Sequence, residues 1–172
     1  ITTLAQEIKN FSPNAMVIIV SNPVDLLTYT FYKESQLPKH KIIGMAGALD
    51  NNRFKYLLSK KLNHSIKDIS TLLIGEHNHN MIPLIQYTKI NNIPLMEYLE
   101  SNIIANSEIK KFINKTKNGG LEIIELQGVS AFYSTAASIA TMIYAYLNEN
   151  KTIMTGSAIC SGEYDICLLY TS

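Results

Sequence analysis

Residues 15–45 read AMVIIVSNPVDLLTYTFYKESQLPKHKIIGM, and they decide the fold class. Ala15–Val20 is a continuous apolar run with four β-branched residues, the pattern of a strand buried on both faces of a parallel sheet. Ser21-Asn22-Pro23 breaks the run. Val24–Ser35 then sets Val24, Leu27 and Phe31 on one face of a helix. Pro38 lies just past that helix, and Lys41–Met45 supplies a second short strand. Strand, helix and strand within about thirty residues make a βαβ unit, the building block of an α/β domain.

Working outward, Ile1–Phe11 places Leu4, Ile8 and Phe11 at helical spacing, and Ser12-Pro13-Asn14 separates it from the first strand. Downstream, a helix is predicted over Asp50–Leu62, with Phe54, Leu57, Leu58 and Leu62 on one face. The pattern then becomes mixed. Ile69–Ile74 and Met81–Ile90 read as strands, with Asn91-Asn92 as a turn. Leu95–Ile104 and Ser107–Asn118 read as helices, the second capped by Ser107 and interrupted at Gly119-Gly120. Ala131–Leu147 is an alanine-rich helix, and Thr152–Cys160, Ser161-Gly162 and Ile166–Tyr170 read as a terminal hairpin. Residues 1–47 thus read as the tail of one α/β domain and residues 48–172 as a second, mixed domain. Both ends fall in or beside regular elements, the pattern of a chain cut from a longer one. The last residues, Cys167–Ser172 (CLLYTS), are similar to a translated sequencing-adapter end.

Composition narrows the function classes. Apolar residues are 47% and charged residues 17% of the 172, and the net charge is +1 with the basic residues scattered. No basic patch marks a nucleic-acid or membrane-surface partner. Apolar runs such as Ala15–Val20 and Leu72–Ile74 fall far short of the roughly 20 residues of a membrane-spanning helix. Cys160 and Cys167 lack metal-type spacing and read as free thiols of a reducing cytosol.

Three polar clusters each follow an apolar strand: Ser21-Asn22-Pro23, then Asp50 with Arg53, then His77 after Gly75. Ligands of open α/β sheets bind beyond the carboxyl ends of strands, so these clusters are the candidate site. Asp50 and Arg53 are three positions apart and share a helix face. Two readings fit. Asp50 caps its helix and Arg53 merely pairs with it; or Arg53 presents its fork to a substrate carboxylate while Asp50 faces a base. His77 likewise reads as a structural histidine or as that base, with Gly75 letting the backbone pass close to a neighbour. An extended His77-Asn78-His79 puts both rings on one side, which leaves a metal site as a third reading.

In order, these clusters resemble the lactate/malate dehydrogenase family. The matching segments are VSNPVDLLTYTFYK (Val20–Lys33), LPKHKIIGMAGALDNNRFKYLL (Leu37–Leu58), IGEHNHNMIPL (Ile74–Leu84) and NGGLEIIEL…SAFYSTAAS (Asn118–Ser138). Gly-Met-Ala-Gly before Leu-Asp, and the later Ser-Ala-Phe-Tyr, look more like the malate branch built on the lactate-dehydrogenase scaffold. Lactate dehydrogenase, and a non-catalytic relative keeping the fold and the subunit interface, are the alternatives.

The resemblance implies the end of a Rossmann-type NAD-binding domain over residues 1–47 and a mixed α+β catalytic domain over 48–172. It implies NAD as cofactor, malate and oxaloacetate as substrates, a homodimer or homotetramer, and a cytoplasmic enzyme of the tricarboxylic acid cycle. Residue by residue, Val20 would offer backbone contacts to NAD, and Asn22 would contact both the nicotinamide side and the substrate oxygen. Asp50 would hold the imidazole of His77, Arg53 would clamp the substrate carboxylate, and His77 would exchange the hydroxyl proton. No metal is implied.

Some features depart from the family. The catalytic histidine is normally followed by Gly-Asp, and here by Asn78-His79, so a positive φ at position 78 would be strained. No Gly-x-Gly-x-x-Gly occurs in the 172 residues, and the loop that selects malate over lactate and the family's long C-terminal helix have no counterpart in them. About half of the family's chain is present, and the isolated piece is expected to be inactive.

Overall fold

The computed structural model describes residues 1–77, 79–130, 132–148, 153–160, 162 and 168–169. The first unit is α1 (Thr2–Phe11), β1 (Val17–Ile19), α2 (Val24–Ser35) and β2 (Ile42–Gly44). β1 and β2 pair in parallel, Val17 with Ile42 and Ile19 with Gly44, and α2 makes the crossover. On α2 the buried residues are Val24, Thr28, Phe31 and Ser35, a stripe at spacings of three and four. With Ala5, Ile19, Leu37, Ile42 and Ala46, this stripe closes the first core.

From β2 the chain enters α3 (Gly47–Leu62), which links the two halves. Phe54 and Leu58 on α3 are fully buried in the second core, with Ile69, Leu73, Met81, Ile90, Leu95, Ile104 and Ile109. Its first turn packs Ala48 and Leu49 against Met45 and Met142. The mixed region consists of β3 (Ile69–Ser70), β4 (Leu73–Ile74), β5 (Ile82–Pro83), β6 (Lys89–Ile90), β7 (Ile93–Pro94), α4 (Leu95–Glu100), α5 (Asn106–Gln127) and α6 (Tyr133–Leu147). β8 (Ser157–Ile159) then returns to pair antiparallel with β2, and β9 (Leu168–Leu169) pairs with β8. The result is a four-stranded sheet ordered β1-β2-β8-β9.

Several sequence expectations change. The run Ile69–Ile74 divides, because β3 pairs with β6 whereas β4 pairs with β5 in a separate ribbon. Met81–Ile90 divides too: Pro83 has no amide to continue a ladder, and Ile85–Tyr87 turns as a 3-10 segment. Asn91 and Asn92 both take positive φ, 49° and 66°, as a tight hairpin turn between β6 and β7 demands. The helix begun at Leu95 stops at Glu100, where the Ser101 hydroxyl donates to the Glu97 carbonyl and Asn102 turns left-handed at φ 55°.

Ser107 is not a cap; α5 begins a residue earlier, at Asn106, with Ala105 as its N-cap. Nor do Gly119 and Gly120 interrupt it, for α5 runs 22 residues through both. Each glycine costs roughly 1 kcal/mol against alanine, and packing of the buried Ile109 and Thr116 on α5 outweighs that preference. Of the predicted last strand, Leu168–Leu169 is described, and Cys167 lies outside the described residues, as does Asn78 with its expected strain.

Candidate active site

The site is built where α3 meets the loop after β4. Gly44-Met45-Ala46 leads from β2 straight into α3, which starts at Gly47, one turn earlier than its apolar periodicity indicates. Asp50 therefore sits inside the first helical turn and not at the cap, which is Ala46. The carboxylate is almost wholly buried, at 3% side-chain exposure, so it needs partners on both oxygens.

It has them. The Arg53 guanidinium donates from Nη1 to Oδ1 at 3.2 Å, and His77 Nδ1 lies 2.6 Å from Oδ2. Because an ionised carboxylate only accepts, Nδ1 carries the hydrogen and Nε2 is left as the second ring nitrogen. The pairing of Asp50 with Arg53 and the pairing of Asp50 with His77 thus occur together, one oxygen each. The hydrogen bond to Asp50 raises the pKa of His77 above the ordinary 6.5; burial and the charge of Arg53 lower it, and the charge of Asp25 raises it. A raised folded-state value means that this pair stabilises the fold fully below pH 6.5, and the contribution is lost as pH rises through the raised pKa.

His77 reaches Asp50 through a reversal that only glycine allows. Gly75 has φ +90°, and a Cβ there would stand 2.6 Å from the Asn80 carbonyl oxygen of the returning chain. The neighbour that the backbone passes is therefore its own loop. Gly75→Ala is expected to lower the stability of the full-length protein by about 1–3 kcal/mol. A shift of the urea unfolding midpoint measures it, and an unchanged midpoint would contradict the strained reversal.

The site's strands also belong to different sheets. β1 and β2 lie in the four-stranded sheet, whereas β4 belongs to the ribbon with β5. The three clusters therefore do not leave one sheet edge; α3 carries the link between them.

The chain and its fold have known counterparts. Family models for the lactate/malate dehydrogenase NAD binding domain and the lactate/malate dehydrogenase alpha/beta C-terminal domain match residues 1–44 and 47–172. The chain belongs to the lactate/malate dehydrogenase family. Malate dehydrogenase from Plasmodium falciparum in complex with NADH superposes with a TM-score of 0.95 at 38% identity, over 98% of this chain and 57% of that one. For Cryptosporidium parvum malate dehydrogenase the values are 0.93, 38%, 98% and 54%. Lactate dehydrogenase from Cryptosporidium parvum gives 0.93 and 30%, over 99% of this chain and 57% of that one. The chain spans a little over half the length of these lactate and malate dehydrogenases.

Within the dehydrogenase fold, Val20 and Asn22 stand exposed past the carboxyl end of β1, and Asn22 leads through a cis bond into Pro23. Among the described residues, hydrogen bonds bring Asp50, Arg53 and His77 together, and Val20 and Asn22 stand exposed outside that cluster. His79 is exposed, and its carbonyl accepts from Lys117 Nζ at 2.6 Å. Among the described residues no group of three His, Cys, Asp or Glu side chains is arranged to hold a metal ion.

Three residues escaped the sequence reading. Asp25, in the first turn of α2, has a buried Oδ1 without a hydrogen-bond partner among the described residues and adds negative charge near His77. Lys117 anchors the loop beyond His77. Gly119 lies against Arg53. Only the paired glycines inside an otherwise helical stretch carried a sequence signal.

Proposed function

We propose that this chain is the catalytic half of an NAD-dependent malate dehydrogenase, oxidising malate reversibly to oxaloacetate with His77 as proton carrier. The observation that supports it most is the shared Asp50 carboxylate, which holds a base and a carboxylate-binding cation side by side in a buried setting. Residues 1–47 form the end of the cofactor-binding domain and residues 48–172 the substrate domain in this reading.

The residues divide the work by charge. Arg53 offers its remaining guanidinium hydrogens to the substrate carboxylate, fixing the C2 oxygen near the imidazole. His77 accepts the hydroxyl proton at Nε2 during oxidation and returns it during reduction. Asp50 keeps Nδ1 protonated, so Nε2 is always the exchanging atom, and it stabilises the imidazolium. The exposed backbone of Val20 and the amide of Asn22 fit the nicotinamide side of the cofactor, while a glycine-rich pyrophosphate turn is not among these 172 residues. Bound NAD supplies the hydride acceptor. On its own the chain is expected to bind NAD poorly and turn over little.

Malate is favoured over lactate by Gly44-Met45-Ala46-Gly47 before Leu49-Asp50 and by the Ser130–Tyr133 segment, SAFY. The full-length protein, assayed with NADH and either oxaloacetate or pyruvate, decides between them; faster turnover of pyruvate would make it a lactate dehydrogenase. Placing Gly and Asp at positions 78 and 79 tests for a non-catalytic relative, since a large gain in rate would mean that Asn78 and His79 had disabled the site. The homodimer or homotetramer is tested by sedimentation of the same protein. No helix among the described residues is long and apolar enough to cross a membrane, and a cytoplasmic location is part of the proposal.

The pH profile gives a further check. Reduction needs protonated His77, so kcat/KM for oxaloacetate should fall as pH rises through a pKa above 6.5, and malate oxidation should rise over the same range. A limb at or below 6.5 would mean that Asp50 does not support the working imidazole.

A further inference from the structure

Helix α5 carries two glycines in its interior, and neither has a left-handed φ that would require glycine. What distinguishes them is their neighbour. A Cβ on Gly119 would lie 3.2 Å from Arg53 Cδ, 3.3 Å from Nε and 3.7 Å from Cζ. On Gly120 it would lie 3.8 Å from Nη2 and 4.0 Å from Nη1, ordinary van der Waals distances. The Arg53 side chain thus crosses the bare backbone of α5 at Gly119, and all three of the nearest atoms there are its own.

We infer that Gly119 is a positioning residue for Arg53: its missing side chain lets α5 serve as a floor that aims the guanidinium at the site. The inference rests on the proposal that Arg53 clamps the substrate carboxylate. Arg53 is tethered at its far end. Its Nη1 is held by Asp50 at 3.2 Å, already at the long end for such a bond. A methyl group at position 119 would push on Cδ and Nε, and the displacement carries outward to the guanidinium nitrogens that must meet the substrate. Two residues earlier, Lys117 holds the His79 carbonyl. One segment of α5 therefore touches both the cation and the loop that bears His77.

The test uses the full-length protein with four substitutions: Gly119→Ala, Gly119→Val, Gly120→Ala and Arg53→Gln. Gly119→Ala should raise KM for oxaloacetate several-fold and Gly119→Val roughly tenfold or more, with kcat changed less. Thermal unfolding of Gly119→Ala should stay at or above the parent midpoint, because alanine is the better helix former. As Arg53 moves away, its charge depresses His77 less, so the pH limb of reduction should shift upward, which a merely structural role would not produce. Gly120→Ala should leave KM and the pH limb unchanged.

Normal KM and pH limb in both Gly119 variants, with a raised KM in Arg53→Gln, would overturn the inference alone. An equal KM increase in Gly120→Ala would overturn it as well, because the effect would then belong to the helix and not to the Arg53 contact. If Arg53→Gln has normal KM, the carboxylate clamp fails first and the inference falls with it.

Discussion

His77→Asn in the full-length protein is expected to lower kcat for oxaloacetate reduction by roughly 10²–10⁴-fold while the protein stays folded, the usual contribution of one general acid–base group. Asparagine is the informative replacement. Its amide can still donate to Asp50 Oδ2, now bonded to Nδ1 at 2.6 Å, so the buried carboxylate keeps a partner. What disappears is a group that gains and loses a proton near neutral pH. KM should change little, since the carboxylate anchor proposed on Arg53 is untouched, and the descending limb of the pH profile should vanish. NADH oxidation followed with oxaloacetate measures both, and circular dichroism verifies the fold. A rate equal to the parent's would remove His77 from the chemistry and leave Asp50–His77 as a structural pair.

How much of this was legible in the sequence depends on range. The β1–α2–β2 unit could be read because its signals are local: a run of β-branched residues, a breaker, a helical stripe and a second run. The bounds predicted for α2, Val24–Ser35, are the ones observed. The lateral pieces of the second half were harder. Strands of two residues such as β3 and β4 carry almost no periodicity, and only pairing across the fold separates Ser70 from Leu73. Helix α5 misled for the opposite reason, since local glycine chemistry said stop while packing carried the helix on.

The site divides in the same way. The three-residue spacing of Asp50 and Arg53 announced a shared face, and a histidine among polar neighbours announced a candidate base. The contact between Asp50 and His77 spans 27 positions, so nothing local could say that one carboxylate would serve both partners. The resemblance supplied that link, and the geometry gave it a physical form. The charge that Asp25 places near His77 and the hydrogen bond of Lys117 to the loop arise only when the chain is folded. Read singly, they are an acidic residue in a first helical turn and a lysine on a solvated helix face.

Arg53→Gln carries the second large effect, and its signature differs from that of His77→Asn. Glutamine is neutral and cannot offer a forked pair of charge-assisted donors, each of which is worth about 1.5–3 kcal/mol against a carboxylate. Loss of the clamp should raise KM for oxaloacetate by roughly 10²–10³-fold, while kcat, read at saturating substrate, falls less. A second change follows inside the protein. The charge of Arg53 lowers the His77 pKa, so its removal favours the imidazolium, and the descending limb of reduction should move to higher pH. Asp50 loses its partner on Oδ1 yet keeps His77 on Oδ2, so the carboxylate leans more heavily on the protonated ring. The stability of the variant should therefore become more dependent on pH, greatest where His77 is charged and falling as pH rises through its new pKa. Raised KM with an unmoved pH limb would separate the clamp from the Asp50–His77 pair, and an unchanged KM would show that the substrate carboxylate is held elsewhere.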